Sequence, residues 1–241
     1  MKGIILSGGA GTRLRPLTKI TSKQLLPIYN RPMIYYPLNT LLKAGIKDIL
    51  IIVSAQYAGD YLSLLGSGKE FSANFTYEVQ DEPRGLADAF IIGENFIDHE
   101  NVVMVLGDNI IEDDISEDIK SFKGGAKVFA KKVHDPERFG VVQFDAEGKA
   151  VKIVEKPKQH ISDYALIGLY IYDSRVVEAA KNVIPSERGE LEIVDLHQFY
   201  LDKGELEVAE IKGEWIDAGT FDSLLKAQNF AKEKLQGKMI I

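Results

Sequence analysis

Residues 8–18 read GGAGTRLRPLT, directly after a short β-rich run at residues 2–6, KGIIL. Glycines placed just beyond a buried first strand let the backbone approach a phosphate closely and aim its amides at it. Arg13 can fork onto phosphate oxygens, and Lys23, in the following SKQLLP stretch, is a compact positive charge. A lone Gly-x-Gly is equally a plain strand-to-helix turn. The flanking Arg and Lys favour phosphate. Two familiar phosphate signatures are excluded: a dinucleotide fingerprint needs Gly where Leu14 stands, and a Walker A loop needs Gly-Lys-Ser/Thr.

Beyond this loop, strand and helix patterns alternate through the first half. Residues 33–44 have helical spacing and stop at Gly45, a C-terminal cap signal. Residues 48–53 (DILIIV), 75–79 and 102–106 (VVMVL) read as strands, with a helix predicted over 85–96. Such alternation implies βαβ units and a parallel sheet covered on both faces. The second half has closely spaced strands at 127–133, 140–145, 151–155 and 165–172. Helices follow at 174–183 and 191–203, then a strand at 206–211 and a terminal helix at 220–235. The predicted fold is α/β, a doubly wound, Rossmann-like mixed sheet, mostly parallel, with a β-rich insertion. We read one domain over 1–241, with a nucleotide part at about 1–125 and a substrate part at about 126–241.

The chain has 241 residues, 45% apolar and 27% charged, the balance of an ordinary globular protein. A net charge of −7 argues against nucleic-acid binding, which leaves a basic footprint. The absence of cysteine excludes disulfides and thiolate-bound metals. Met1-Lys2 runs straight into the first strand with no secretory signal, and no apolar run reaches membrane length, so a cytoplasmic location is expected.

Leu106-Gly107-Asp108-Asn109 closes the 102–106 strand. Ligands of doubly wound sheets sit beyond the carboxyl ends of the strands. If this strand neighbours the first, Asp108 faces the glycine loop, where a carboxylate suits Mg²⁺. The competing reading is an Asp that caps its own turn. Val154-Glu155-Lys156-Pro157 ends another strand. Alone it is as easily a solvated edge device as a Glu for sugar hydroxyls beside a Lys for phosphate. In Trp215-Ile216-Asp217-Ala218-Gly219-Thr220, Asp217 is either a second metal ligand or a favourable charge at a helix start. Arg188 and Gln80 are ambiguous by themselves. The four histidines share no ligand spacing.

Together these segments resemble the sugar-1-phosphate nucleotidyltransferase family. The resemblance spans nearly the whole chain in the family's order: GGAGTRLRPLT, SKQLLP, VQDEPRGLADAF, LGDN, ERFGVV, VEKP, ALIGLYIYD, RGELEIVD and WIDAGTFDSLL. It implies a nucleotide-diphospho-sugar transferase fold and transfer of a nucleotidyl group from dTTP to glucose 1-phosphate, releasing pyrophosphate, for deoxysugar synthesis such as dTDP-rhamnose. Alternatives are a UTP-using or other hexose-1-phosphate enzyme, or a non-catalytic nucleotide-sugar sensor. By resemblance, Gly8, Gly9, Gly11, Thr12, Arg13, Lys23, Gln24 and Asp108 hold the nucleotide, and Gln80 and Gly85 read its base. Asp108 and Asp217 hold Mg²⁺. Asn109, Gly140, Glu155, Lys156, Leu166 and Arg188 form the sugar-phosphate pocket, and Arg13, Lys23 and Lys156 are the catalytic cations. The chain resembles the short members that lack extra C-terminal helices, and the family implies a homo-oligomer. It departs from the family pattern at Leu166-Ile167, where Val-Thr is common, and at Arg84 and Asp88.

Overall fold

Lys2–Ser7 is a strand because four consecutive apolar or small residues, Ile4, Ile5, Leu6 and Ser7, are buried with no polar face to expose. A computed structural model describes every residue except Ala10, within the glycine loop, and Gln236, just beyond the predicted terminal helix. The chain folds into two compact units, the first made of Met1–Pro83, Met104–Lys120 and Gly213–Ile241. In this unit Lys2–Ser7 pairs in parallel with Asp48–Ser54, from Gly3 opposite Ile49 to Ser7 opposite Val53. Asp48–Ser54 pairs in parallel with Asn74–Gln80, ending at Ser54 opposite Gln80. Parallel pairing brings the carboxyl ends of all three strands, Ser7, Ser54 and Gln80, to one edge. Val102–Leu106 neighbours Lys2–Ser7 on the other side. The condition on which Asp108 would face the glycine loop is therefore met.

Tyr35–Lys43 and Ala58–Leu65 are two of the helices of this unit. Tyr35–Lys43 buries Tyr36, Leu38 and Leu41, as its spacing predicts. Ala58–Leu65 buries Tyr61 and Leu65. This second helix escapes the sequence pattern, because eight residues containing Gly59, Asp60 and Ser63 carry too short an apolar stripe to register.

A distinct core cluster joins Leu14, Leu26, Ile28 and Met33 to Ile110, Ile216, Ala218 and Leu224. Leu14 is fully buried there, which accounts for a Leu where a dinucleotide loop has Gly. Burying it contributes roughly 2–3 kcal/mol and ties the glycine loop to the residues on either side of Asp217. The terminal helix Phe221–Phe230 starts with a capping box between Thr220 and Ser223, which satisfies its first amides. It continues as a π-helical turn, Ala231–Leu235. Leu224, Ala227, Ala231 and Leu235 form its buried stripe.

The second unit comprises Arg84–Val103 and Ser121–Lys212. Tyr164–Tyr172 lies antiparallel to Ala126–Lys132 and to Gly140–Phe144. Ala150–Glu155 pairs antiparallel with Gly140–Phe144, and Leu206–Glu210 runs parallel to Ala126–Lys132. The helix predicted over 85–96 is two short pieces, Asp88–Ile92 and Glu94–Ile97, separated at Gly93, where glycine weakens the helix. Its start is delayed because Gly85 has a φ of +108°, outside the helical region. Val176–Lys181 and Ile193–Asp202 complete the unit. Phe90 meets Tyr172 edge to face at 5.3 Å, and His197 lies 5.3 Å from the Tyr170 ring. Among the described residues no helix is long and apolar enough to cross a membrane.

Candidate active site

The glycine loop of the first unit is shaped by what glycine leaves out. Gly9 and Gly11 have φ of +99° and +56°, the left-handed region that L side chains rarely adopt. A Cβ on Gly8 would stand 2.6 Å from Oε1 of Gln80, so the missing side chain lets Gln80 reach the loop. Gly11 starts a single 3-10 turn, Thr12–Leu14. Its carbonyl accepts from Oγ1 of Thr18 at 2.7 Å and from the Leu14 amide at 3.0 Å. Buried Leu14 directs its neighbours Thr12 and Arg13 outward, and both are exposed. A cavity of about 420 Å³ opens beside this loop, bounded by Gly9, Arg15, Thr18, Tyr57, Gln80 and Pro83. A larger open groove of about 820 Å³, between Glu112, Glu214 and Phe230, contains none of the expected site residues.

Lys23 and Asp108 form an ion pair at the mouth of the Val102–Leu106 strand, with side chains only 14% and 13% exposed. The Gly107 amide donates to the Leu6 carbonyl at 2.9 Å, and a Cβ on Gly107 would stand 2.5 Å from Oγ of Ser7. Gly107 thus lets Asp108 approach the end of the first strand. Burial alone would push the Lys23 ammonium down, but Asp108 and Asp217 outweigh it and hold it above the ordinary lysine range. Burial alone would raise the Asp108 carboxyl. Lys23 and a hydrogen bond from Asn109 win instead, and keep it below the usual carboxylate range.

Asp217 is brought beside this pair by a short antiparallel ladder in which it faces Asn109. The Ala218 amide donates to the Asp108 carbonyl at 2.9 Å, closing the contact. Asn109 is buried; its Nδ2 donates to Asp108 at 3.1 Å and its Oδ1 accepts from the Trp215 indole at 2.6 Å. Its side chain therefore orients Asp108. A Cβ on Gly219 would lie 2.9 Å from Oδ1 of Asp217 and 3.0 Å from Nη2 of Arg13, so glycine lets these two groups converge. No three His, Cys, Asp or Glu side chains among the described residues make a complete metal cage. Two aspartates beside a glycine loop are nevertheless a donor set that suits Mg²⁺, which keeps waters and takes one or two carboxylates plus phosphate oxygens of a ligand. The residues fit that ion.

The second unit brings together Gly140, Glu155, Lys156, Leu166 and Arg188. A Cβ on Gly140 would lie 3.3 Å from Oε2 of Glu155 and 3.6 Å from Cδ1 of Leu166. The Lys156 ammonium is 3.1 Å from Glu155, and Nη2 of Arg188 is 3.8 Å from the same carboxylate. Lys156 has a φ of +41°, although a residue before proline favours extended backbone. Its amide is anchored on the Phe139 carbonyl at 3.0 Å. Holding a non-glycine residue there costs roughly 1–3 kcal/mol, a strain typical of functional positions. Arg188 also grips both oxygens of Glu192 at 2.9 Å. Burial opposes its charge, but Glu192, Glu190 and Glu155 dominate and raise its pKa.

Gly85 belongs to this unit as well. Leu191 donates its amide to the Arg84 carbonyl at 2.7 Å and accepts from the Ala87 amide at 3.1 Å. A Cβ on Gly85 would lie 2.6 Å from the Leu191 nitrogen, so only glycine fits. The two departures from the family pattern here are partners: Nη1 of Arg84 is 3.7 Å from the buried Asp88. The pairing of Ser22 with Tyr61 escapes sequence reasoning. Both are buried beside Gln24, and their hydroxyls meet at 2.8 Å. Ser22 opens the SKQLLP segment, but nothing in the order of residues says that its hydroxyl meets that of Tyr61.

The profile of one family, nucleotidyl transferase, matches residues 2–234. The chain belongs to that family. It is 52% identical over 238 residues to a glucose-1-phosphate thymidylyltransferase of Neisseria meningitidis, covering 96% of this chain and 83% of the relative. It is 48% identical over 244 residues to the enzyme of the same name from Mycobacterium tuberculosis, covering 98% and 85%. A Bacillus anthracis protein crystallised with sucrose superposes with a TM-score of 0.92 at 47% identity, covering 97% of this chain and 96% of that one. UDP-glucose pyrophosphorylase bound to UDP-glucose shares the fold, with a TM-score of 0.85 at 23% identity over 97% and 98% of the two chains. The α/β nucleotide-sugar transferase fold expected from the sequence is the fold of these neighbours.

Proposed function

We propose that this chain transfers the nucleotidyl group of dTTP to glucose 1-phosphate, giving dTDP-glucose and pyrophosphate for activated deoxysugar synthesis. The observation that supports this most directly is Lys23 paired with Asp108, beside Asp217 and next to a glycine loop whose exposed residues include Arg13. The thymidylyltransferase relatives at about half identity favour dTTP and glucose 1-phosphate over UTP or another hexose.

In the reaction a phosphate oxygen of the sugar phosphate attacks the α-phosphorus. A new P–O bond forms as the bond to the bridging oxygen breaks, and pyrophosphate leaves with the electron pair. No covalent enzyme intermediate is needed. Catalysis is therefore positioning and charge neutralisation of two polyanions. Gly8, Gly9, Gly11 and Thr12 cradle the triphosphate, with Gln24 beside them, and Arg13 and Lys23 neutralise the leaving pyrophosphate. Gln80 and Gly85 read the base. Lys156 and Arg188 orient the sugar phosphate, while Glu155, lined by Gly140 and Leu166, accepts sugar hydroxyls; Asn109 keeps Asp108 in place. Asp108 and Asp217 would hold Mg²⁺, whose charge would stabilise the transition state.

We read the protein as a cytoplasmic homo-oligomer. The exposed Phe221 and Leu225, one turn apart on the terminal helix, favour self-association. Light scattering coupled to size exclusion measures that state. A pyrophosphate-release assay over dTTP and UTP against several hexose 1-phosphates tests the reaction. We expect the highest kcat/KM for dTTP with glucose 1-phosphate, abolished by chelation and restored by Mg²⁺. Turnover preferring UTP or another sugar corrects the substrates, and silence across the matrix leaves a nucleotide-sugar sensor.

A further inference from the structure

We propose that Tyr61 is a positioning residue for the triphosphate loop, acting through Ser22 and Gln24 on the carbonyl of Gly8. The inference rests on the nucleotide-binding role proposed for that loop.

Tyr61, on the helix Ala58–Leu65, is fully buried, and Ser22 and Gln24 are 4% and 2% exposed. Its hydroxyl lies 2.8 Å from Oγ of Ser22 and 3.3 Å from Oε1 of Gln24. Ser22 donates to the same Oε1 at 2.8 Å. Nε2 of Gln24 faces the Gly8 carbonyl at 3.5 Å.

Each hydroxyl has one proton. With Ser22 donating to Gln24, Oγ of Ser22 is left to accept from Tyr61. With Tyr61 donating to Gln24, Ser22 donates to Tyr61. Either arrangement puts a proton on Oε1 of Gln24 and so sets which way the amide faces. The reversed amide would place two acceptors, Oε1 and the Gly8 carbonyl, against each other. The stem of Gln24 is confined too, because a Cβ on Gly107 would stand 2.9 Å from its Cγ. Gln24 is thereby wedged between the glycine loop and the residue before Asp108. A phenylalanine would fill the space of Tyr61 without burying a polar group. The hydroxyl matters for its direction.

The test compares wild type with Tyr61→Phe, Ser22→Ala and the double variant. It measures dTTP dissociation constants by calorimetry, both KM values by pyrophosphate release, and thermal midpoints. We expect Tyr61→Phe to weaken dTTP about five-fold and Ser22→Ala about ten-fold, on the scale of one lost hydrogen bond. The KM for glucose 1-phosphate should stay within about two-fold. The double variant should be weaker than either single one, because in each single variant the remaining hydroxyl still reaches Oε1 of Gln24. Unchanged dTTP affinity in both single variants overturns the proposal. So does equal weakening of both substrates accompanied by a drop in melting temperature. Wild-type protein that binds dTTP without turnover overturns the proposed reaction, while the affinities of the variants still decide the role of Tyr61. Absence of dTTP binding in wild type overturns both.

Discussion

Lys23 and Asp108 lie 85 positions apart in the chain and meet as a mostly buried ion pair at the end of the strand beside the glycine loop. Neither charge is tolerable there alone. Removing one partner strands the other in a poorly solvated site, at a cost of roughly 3–5 kcal/mol. Lys23→Met should therefore lower stability on that scale in urea unfolding. Lys23→Met/Asp108→Asn should recover part of the loss, since neither member of the pair is then left charged. A double variant as unstable as the sum of the singles would refute the coupling.

Asp217 reaches the same site through the ladder that sets it opposite Asn109. If it shares Mg²⁺ with Asp108, Asp217→Asn should lower kcat by about 10²–10³-fold, the range for losing a preorganised electrostatic contact. It should also raise the Mg²⁺ concentration needed for half-maximal rate. Near-normal turnover at ordinary Mg²⁺ would remove Asp217 from the metal.

Gly85 combines a left-handed φ of +108° with a packed neighbour, Leu191. Gly85→Ala must displace backbone, because the nearest atoms belong to the main chain of Leu191. We expect the KM for dTTP to rise about ten-fold or more, with stability reduced by roughly 1–3 kcal/mol. Unchanged dTTP kinetics would show that the loop tolerates the shift and that Gly85 does not shape the base site.

Lys156 has its own expectation. Lys156→Ala should raise the KM for glucose 1-phosphate and lower kcat, because it removes positioning of the attacking phosphate. An effect confined to the KM for dTTP would contradict that assignment.

His197 stands outside the site and is fully buried against Tyr170 and Tyr172. Burial holds its pKa down to about 3, against 6.5 for an exposed imidazole. Between those values the unfolded chain binds a proton that the folded one refuses, so stability falls as pH drops below about 6.5. The loss from this group between pH 7 and pH 5 should be about 2 kcal/mol. Urea unfolding of His197→Phe at both pH values should show a slope shallower by that amount. Parallel slopes would refute the shift.

Much of this was legible in the chain. The runs at 2–6, 48–53 and 102–106 announce buried strands because the apolar period is local. The glycine loop and the LGDN segment stand out because glycines and charged residues gather directly after apolar strands, whereas Glu155-Lys156 is read only through the family resemblance. The helix Ala58–Leu65 was not legible, nor was Tyr61 within it, because its buried stripe is two residues deep. Leu14 could be read only as the wrong residue for a dinucleotide loop; its place in the core beside Ile216 and Ala218 explains why it is there.

Residue order was enough to settle the family, the succession of strands and helices, and the set of charged and glycine residues available for phosphate chemistry. Folding chose which of them face one another. It set Lys23 against Asp108 and Asp217, Glu155 between Lys156 and Arg188, and Arg84 against Asp88. The physical reason is that hydrophobic period and turn chemistry act over a few residues. A charge's energy depends on its distance to partners and on the water excluded around them. Only the folded chain sets those two quantities.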